Sequence, residues 1–355
     1  MSGERKSRIW DHVRRLLVMR LDNIGDVIMM GPALKAIKEN LPEAELVMMV
    51  SPAGAQAAPL LPWIDDLIGW RALWQDIGKP QLRPDKEFEL IEALRLRGFD
   101  LALAFTSFSQ SPHPAAFVCR MAGIPRFYGQ SQESGWSTLP AFPVEENQAE
   151  RNLYLIESLG LTVKDRNLDI RIPKAAEDSL GLLARNAGLE ISQDYIVLNP
   201  WTSCDSRTYP SVRFAQAARA LSEITGMRVA LSGAPKERQK SPEILQILGT
   251  RAVDLVGRTD VCQFAALVAR ARVVLTGNTS ALHLADATLV PVVVPYSGTE
   301  LESQWAPRSA PHKLLLRRTD CTPCYRFSCP FDHECLDIPP EEVVAAAMES
   351  LASGL

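Results

Sequence analysis

The chain has 355 residues, 46 % hydrophobic and 23 % charged, with Lys+Arg 38 against Asp+Glu 42 and a formal net charge of -4. That length exceeds one ordinary core and suits two domains, and the composition is globular rather than disordered. The charge balance excludes the basic excess of a nucleic-acid binder, and no apolar run reaches the roughly 18 residues of a membrane span.

The amino terminus sets Arg5, Lys6, Arg8, Arg14 and Arg15 among Trp10, Val13, Leu16 and Leu17. This reads as a solvated N-terminal helix, or as a helix resting on the anionic inner face of a membrane. It lacks the apolar stretch of a secretory signal, so the expected location is cytoplasmic. Seven cysteines are present. An odd number without an export signal argues against a disulfide framework.

Along the chain, short apolar runs alternate with helical periods. Leu16 to Arg20 reads as the first strand, a turn follows at Asn23 to Asp26, and Ile28, Pro32, Leu34, Ile37 and Leu41 recur at helical spacing. Strands are expected at Glu45 to Val50, Asp100 to Phe105 and Leu168 to Ile172, with helices over 86–97, 112–122 and 146–160. The second half repeats the grammar. Strands are expected at Tyr195 to Asn199, Arg228 to Ser232, Ala252 to Val256, Arg272 to Thr276, Pro291 to Pro295 and Lys313 to Leu316. The helices between them cover 212–225, 236–248, 261–269 and 280–288, and a last helix runs from Pro340 to Leu351. Such alternation predicts βαβ units and parallel sheets. Two runs predict two doubly wound domains, joined near Pro173 to Gln193, with ligand at the carboxyl ends of the strands.

The chemistry-bearing motifs sit at those strand ends. In Arg20-Leu-Asp-Asn-Ile-Gly-Asp26, Gly25 permits a tight turn. Asp26 is there either a helix N-cap or a general base. In Gly277-Asn-Thr-Ser-Ala-Leu-His283, Thr279 and Ser280 open a helix. They either cap it or, with its free N–H groups and dipole, hold phosphate. His283 is either a core histidine or a donor to an anion. No Gly-x-Gly-x-x-Gly and no Walker A motif is present, which leaves NAD and ATP-driven chemistry without support. Ser232-Gly-Ala-Pro-Lys-Glu237 is a turn whose Glu237 suits ribose hydroxyls. Trp201-Thr-Ser-Cys-Asp-Ser-Arg207 is a loop whose hydroxyls and Arg207 suit an anion, or which is merely solvated.

Taken in order, these motifs resemble those of glycosyltransferase family 9, the ADP-heptose:lipopolysaccharide heptosyltransferases. The match rests on Ile24-Gly25-Asp26, Arg207-Thr-Tyr-Pro210, Ser-Gly-Ala-Pro-Lys-Glu237, Leu255-Val-Gly-Arg-Thr259, Thr279 to His283 and Gly298-Thr299 with Trp305-Ala-Pro307. It spans roughly residues 15 to 345. The resemblance implies an α/β chain of GT-B fold, two Rossmann-like domains facing a cleft. The acceptor domain would cover 1–180 and the nucleotide-sugar domain 181–338, with 339–355 a helix crossing back. It implies inverting transfer from an ADP-sugar to a glycan or glycolipid acceptor, with no cofactor for catalysis. Asp26 would be the base, and Arg207 would stand for a family lysine on the donor phosphate, beside Thr202 and Ser203. Glu237 and Thr259 would line the nucleoside, and Asn278, Thr279, Ser280, Ala281 and His283 the diphosphate and sugar. The family usually has Asp at 278 and Gly at 280. Asn278 keeps the size and hydrogen bonding but loses the charge, which leaves open a sugar other than heptose, or reduced activity.

Cys321, Cys324, Cys329 and Cys335 form a last constellation. Four thiolates suit a structural Zn or Fe site, with His333 as a substitute ligand; disulfides or free thiols are the alternatives. The site is expected to brace the tail or an oligomer contact. An inverting glycosyltransferase acting on an envelope glycan is the first functional reading. A non-catalytic nucleotide-sugar binder or scaffold is the second, and the order of motifs argues against a GT-B epimerase.

Overall fold

The computed structural model describes residues 9–75, 83–131, 138–140 and 142–353. The chain divides into two compact units, Met1–Asp169 and Ile170–Leu355. The first holds strands β1 (Arg15–Arg20), β2 (Glu45–Val50), β3 (Asp66–Gly69), β4 (Leu101–Ala104), β5 (Phe127–Ser131) and β6 (Thr138–Pro140). Its helices are α1 (Ile24–Ile28), α2 (Gly31–Asn40), α3 (Pro84–Arg97), α4 (His113–Met121) and α5 (Gln148–Ser158). The strands form one 6-stranded sheet in the order β3-β2-β1-β4-β5-β6, and every pairing is parallel. Helices cover both faces of such a sheet, so its inner strands read as unbroken apolar runs. Leu16 to Arg20 and Leu46 to Val50 are accordingly buried throughout.

The second unit repeats this plan. Its strands are β7 (Tyr195–Asn199), β8 (Arg228–Leu231), β9 (Ala252–Asp254), β10 (Val273–Thr276), β11 (Val292–Tyr296) and β12 (His312–Leu316). Its helices are α6 (Lys174–Asn186), α7 (Ser211–Thr225), α8 (Ser241–Leu248), α9 (Val261–Ala269), α10 (Ser280–Thr288), α11 (Glu302–Trp305) and α12 (Pro340–Ser353). The sheet order is β12-β11-β10-β7-β8-β9, again parallel. Counted within its unit, each sheet has the Rossmann order. The chain reverses direction between β1 and β4, and between β7 and β10. Loops leaving those strands diverge there and open a crevice for ligand.

Several expectations are corrected. Leu168 to Ile172 is not a strand. This segment straps α2, with Lys35 Nζ donating to Asp165 at 3.0 Å and to Asp169 at 2.8 Å. The carbonyl of Asp169 lies so close to Gly31 that a Cβ there would meet it at 2.5 Å. The division between units falls after Asp169, ahead of the expected 180/181, because α6 packs against α9. The amphipathic N-terminal helix is not formed over residues 9–14. Ile9 and Val13 are buried and Trp10 Nε1 donates to the Leu159 carbonyl at 2.9 Å, while Arg15, Leu16 and Leu17 belong to β1. Arg5, Lys6 and Arg8 lie outside the described residues. The helix expected over 236–248 begins as a 3-10 turn, Pro235–Lys240, before α8. Helix α12 lays Val343, Ala346 and Ala347 into the core of the second unit beside Phe214 and Leu221. Among the described residues no helix is long and apolar enough to cross a membrane.

Candidate active site

In the first unit, β1 ends in Arg20, whose side chain is fully buried. A buried charge needs partners. Its Nε is ion-paired with Asp22 Oδ2 at 2.9 Å, and its Nη2 donates to Asp26 Oδ1 at 2.7 Å and to Ser107 Oγ at 2.9 Å. Ser107 follows β4, so the contact spans the point where the sheet reverses. Burial pulls the Arg20 pKa down, but the two carboxylates outweigh it and the net is raised. Asp22 Oδ1 accepts from Gln75 Nε2 at 2.7 Å and from Gln110 Nε2 at 2.6 Å. Burial holds the Asp22 carboxyl above its usual range, with Arg20 opposing.

Asn23, not Asp26, is the N-cap of α1, and Asp26 is the third residue of its first turn. There its Oδ2 accepts from Asn23 N at 3.1 Å. Its Oδ1 accepts from Arg20, and the side chain is largely buried, with 13 % exposure. Gly25 is not a left-handed turn residue: it lies within α1, and its φ is not positive.

In the second unit, the loops after β7, β10 and β11 converge. Arg207 Nη1 stands 3.3 Å from Glu300 Oε2, and Asn278 Nδ2 donates to the same oxygen at 2.9 Å. Gly277 lets the two loops approach closely: a Cβ there would meet Thr202 Cγ2 at 2.9 Å and force it to shift. Thr202 Oγ1 is spent inside its loop, on Cys204 O at 2.6 Å and Thr208 Oγ1 at 2.8 Å; Ser203 is exposed. Thr279 caps α10, accepting from Ala281 N at 3.1 Å. Ser280 is half-buried, and Ala281 is fully buried. His283 is buried next to Trp305, ring centroids 6.2 Å apart. Burial pulls its pKa down to about 4, with Asp286 opposing and Arg207 adding to the effect. His283 is therefore a neutral ring near neutrality and supplies no charge. The Trp305 indole N–H is buried without a hydrogen-bond partner among the described residues.

Glu237 caps the 3-10 turn it sits in: Oε2 accepts from Ala234 N at 2.6 Å. Thr259 is half-buried beside Asp260, the N-cap of α9. The structure thus brings Arg207, Asn278 and His283 together at the sheet reversal, and gives Thr202, Glu237 and Thr279 visible structural work.

The cysteine segment is stitched to this site. Cys324 N donates to Gly298 O at 3.0 Å and Tyr325 N to Thr299 O at 2.7 Å. The Phe327 carbonyl accepts from Ser206 N at 3.3 Å and from Cys204 Sγ at 3.0 Å, and Arg326 O accepts from Ser206 Oγ. The segment therefore braces the Arg207 loop. All seven cysteines are free thiols. Among the described residues no three His, Cys, Asp or Glu side chains are grouped so as to hold a metal ion, so the expected four-thiolate site is not gathered in this arrangement.

The sequence model of glycosyltransferase family 9 (heptosyltransferase) matches residues 88–334. The chain belongs to glycosyltransferase family 9. It is 24 % identical over 337 residues to the lipooligosaccharide heptosyltransferase 2 of Campylobacter jejuni, covering 90 % of this chain and 94 % of that one. In fold it is similar to the family 9 glycosyl transferase of Veillonella parvula, with TM-score 0.79, 19 % identity and coverage of 96 % and 98 %. It is also similar to the E. coli ADP-heptose LPS heptosyltransferase II, with TM-score 0.73, 19 % identity and coverage of 96 % and 99 %. The fold is GT-B, and the chain is a glycosyltransferase.

Sequence reasoning singled out Asp26, Arg207 and Asn278 but missed what holds them: Arg20, Asp22, Ser107, Gln75 and Gln110 in one unit, and Glu300 in the other. Arg20 and Asp22 were in view inside the Arg20 to Asp26 motif. A charged residue closing a strand of otherwise buried positions was the signal there.

The depressed His283 pKa carries a sign. The unfolded histidine takes its proton first, so its contribution is complete above about pH 6.5 and is lost as pH falls toward about 4. Urea unfolding at about pH 7 and about pH 4.5 should show wild type losing about 2–3 kcal/mol more than His283→Asn over that interval. Equal losses would contradict the burial of a neutral ring.

Proposed function

We propose that the chain transfers heptose from ADP-heptose to a hydroxyl of the lipopolysaccharide core, or of another envelope glycan, with inversion at the anomeric carbon. The observation that carries this reading is the Asp26 carboxylate, held 2.7 Å from a fully buried guanidinium at the end of β1 and keeping 13 % exposure. Family membership and the names of the similar proteins support the donor and the acceptor class. The place of action we propose is the cytoplasm, at the inner face of its membrane, where a glycolipid acceptor is presented.

In this reading Asp26 takes the proton of the acceptor hydroxyl as its oxygen bonds to the anomeric carbon. The bond from that carbon to the β-phosphate oxygen breaks, and ADP leaves. Arg207 meets the charge on the diphosphate with its planar fork. The N-terminal turn of α10, with Ser280 and Ala281, adds N–H groups and the positive end of the helix dipole. Asn278 faces the sugar. His283 donates an N–H, while Glu237, Thr259, Thr202 and Ser203 shape the nucleoside and phosphate walls.

Asp26→Asn keeps the size of the side chain but removes the base and one of its two acceptor oxygens. Transfer, read as ADP released in the presence of acceptor, should fall by about 10²–10⁴ with ADP affinity unchanged, while the unfolding midpoint drops because the buried Arg20 keeps Asp22 but loses the charge of Asp26. Full turnover in Asp26→Asn would remove Asp26 from the chemistry.

A second proposal concerns the cysteine segment. Cys321, Cys324, Cys329 and Cys335 would hold one structural Zn or Fe, drawing the 319–335 loop tighter onto the Arg207 loop. Its support is the donor set itself. Metal analysis of protein purified without added metal should find about one ion per chain. Neither zinc nor iron would leave the four as free thiols.

A further inference from the structure

Glu300 belongs to no motif that the sequence singles out, yet it stands where the phosphate-binding loops meet. Its position is built. The loop between β11 and α11 is fixed from several sides. Tyr296 Oη donates to Leu301 O at 3.1 Å, Ser297 Oγ to Thr299 Oγ1 at 2.9 Å, and Thr299 Oγ1 to Ser206 O at 3.2 Å. Cys324 N and Tyr325 N hold the carbonyls of Gly298 and Thr299 from the cysteine segment. The Glu300 side chain is 15 % exposed. Its Oε2 is shared by Asn278 Nδ2 at 2.9 Å and Arg207 Nη1 at 3.3 Å.

A largely buried carboxylate is an awkward neighbour for an incoming diphosphate, because like charges repel. It is a suitable one for sugar hydroxyls, since a carboxylate accepts without donating and charge-assisted hydrogen bonds are the stronger kind. The Arg207 guanidinium, with its five donors, can turn from one carboxylate oxygen to a diphosphate, which offers more negative charge and a bidentate match. Asn278, beside Glu300, is neutral and donates toward it, so the negative charge of this corner resides on Glu300.

We propose that Glu300 is the carboxylate that recognises the donor sugar: it holds Arg207 in the free protein and accepts from the sugar hydroxyls once the donor diphosphate has taken Arg207. This rests on the ADP-sugar reading given above, and it identifies a specificity-determining residue within it. The plainer role, a tether that only orients Arg207, predicts a different response to the sugar.

Calorimetric titration of Glu300→Gln and wild type with ADP, ADP-heptose and ADP-glucose separates the two. The ADP-sugar that wild type binds more tightly is compared with ADP. In Glu300→Gln the affinity for ADP should hold or rise, because Arg207 has lost an internal counter-charge. The preference for that ADP-sugar relative to ADP should fall about tenfold, and Glu300→Asp should recover part of it. An unchanged ratio, with ADP and the ADP-sugar shifting together, overturns the sugar contact and leaves a tether. Wild type that binds none of the three overturns the donor reading itself, and Glu300's role with it. Unfolding midpoints close to wild type in both variants show that the comparison is made on folded protein.

Discussion

Parallel pairing of β7 with β10, which sets Asn199 opposite Thr276, is the constraint on which the donor side of this molecule depends. It places the loops after both strands at one edge of the sheet, where the chain reverses direction. Arg207 and Asn278, 71 residues apart in sequence by their numbers, thereby reach the same Glu300 oxygen. The pairing of β1 with β4, with Met19 opposite Ala104, does the same in the first unit and brings Ser107 to Arg20. Each unit thus makes its site from the same physical rule: helices on both faces, inner strands buried, and function left to the loops at the carboxyl ends.

The two sites spend charge differently. In the first unit a fully buried guanidinium is surrounded by Asp22, Asp26 and Ser107, and burial also pulls the nearby Arg151 guanidinium down to about 10. Removing one partner from such a group leaves charge without compensation, so the arrangement is stiff. That stiffness suits a carboxylate that must keep one direction. In the second unit the cation is only partly buried and its carboxylate partner is shared with an amide, a weaker hold that an anionic ligand can replace. The cysteine segment supports this softer site through backbone carbonyls, which fix the loop without adding charge to it.

Much of the architecture was legible in the sequence. Strands such as Leu16 to Arg20 and Tyr195 to Asn199 are apolar runs because both faces are covered, and that leaves a plain signal. The strands missed were β3, β5 and β6, which are short and polar or partly exposed, so neither alternation nor a continuous run marks them. Leu168 to Ile172 looked like a strand because Leu168, Ile170 and Ile172 alternate, yet its backbone is used against Gly31 instead. Within the site, Asp26, Arg207 and Asn278 were visible from their motifs at strand ends. Arg20 was in view inside its motif, but its burial was not; Glu300 was missed because its partners Arg207 and Asn278 are distant in sequence. Glu237 and Thr279 show the converse: each is a polar residue in a motif, and the structure gives each a cap to make.

The claim on which the account turns is that the second unit is a nucleoside diphosphate site centred on Arg207. Calorimetric titration of the full chain with ADP, UDP and GDP, repeated on Arg207→Ala, tests it most directly. The account predicts a clear preference for ADP and a loss of about tenfold or more in affinity when the guanidinium is removed. Binding of no nucleotide, or an ADP affinity indifferent to Arg207→Ala, would contradict it.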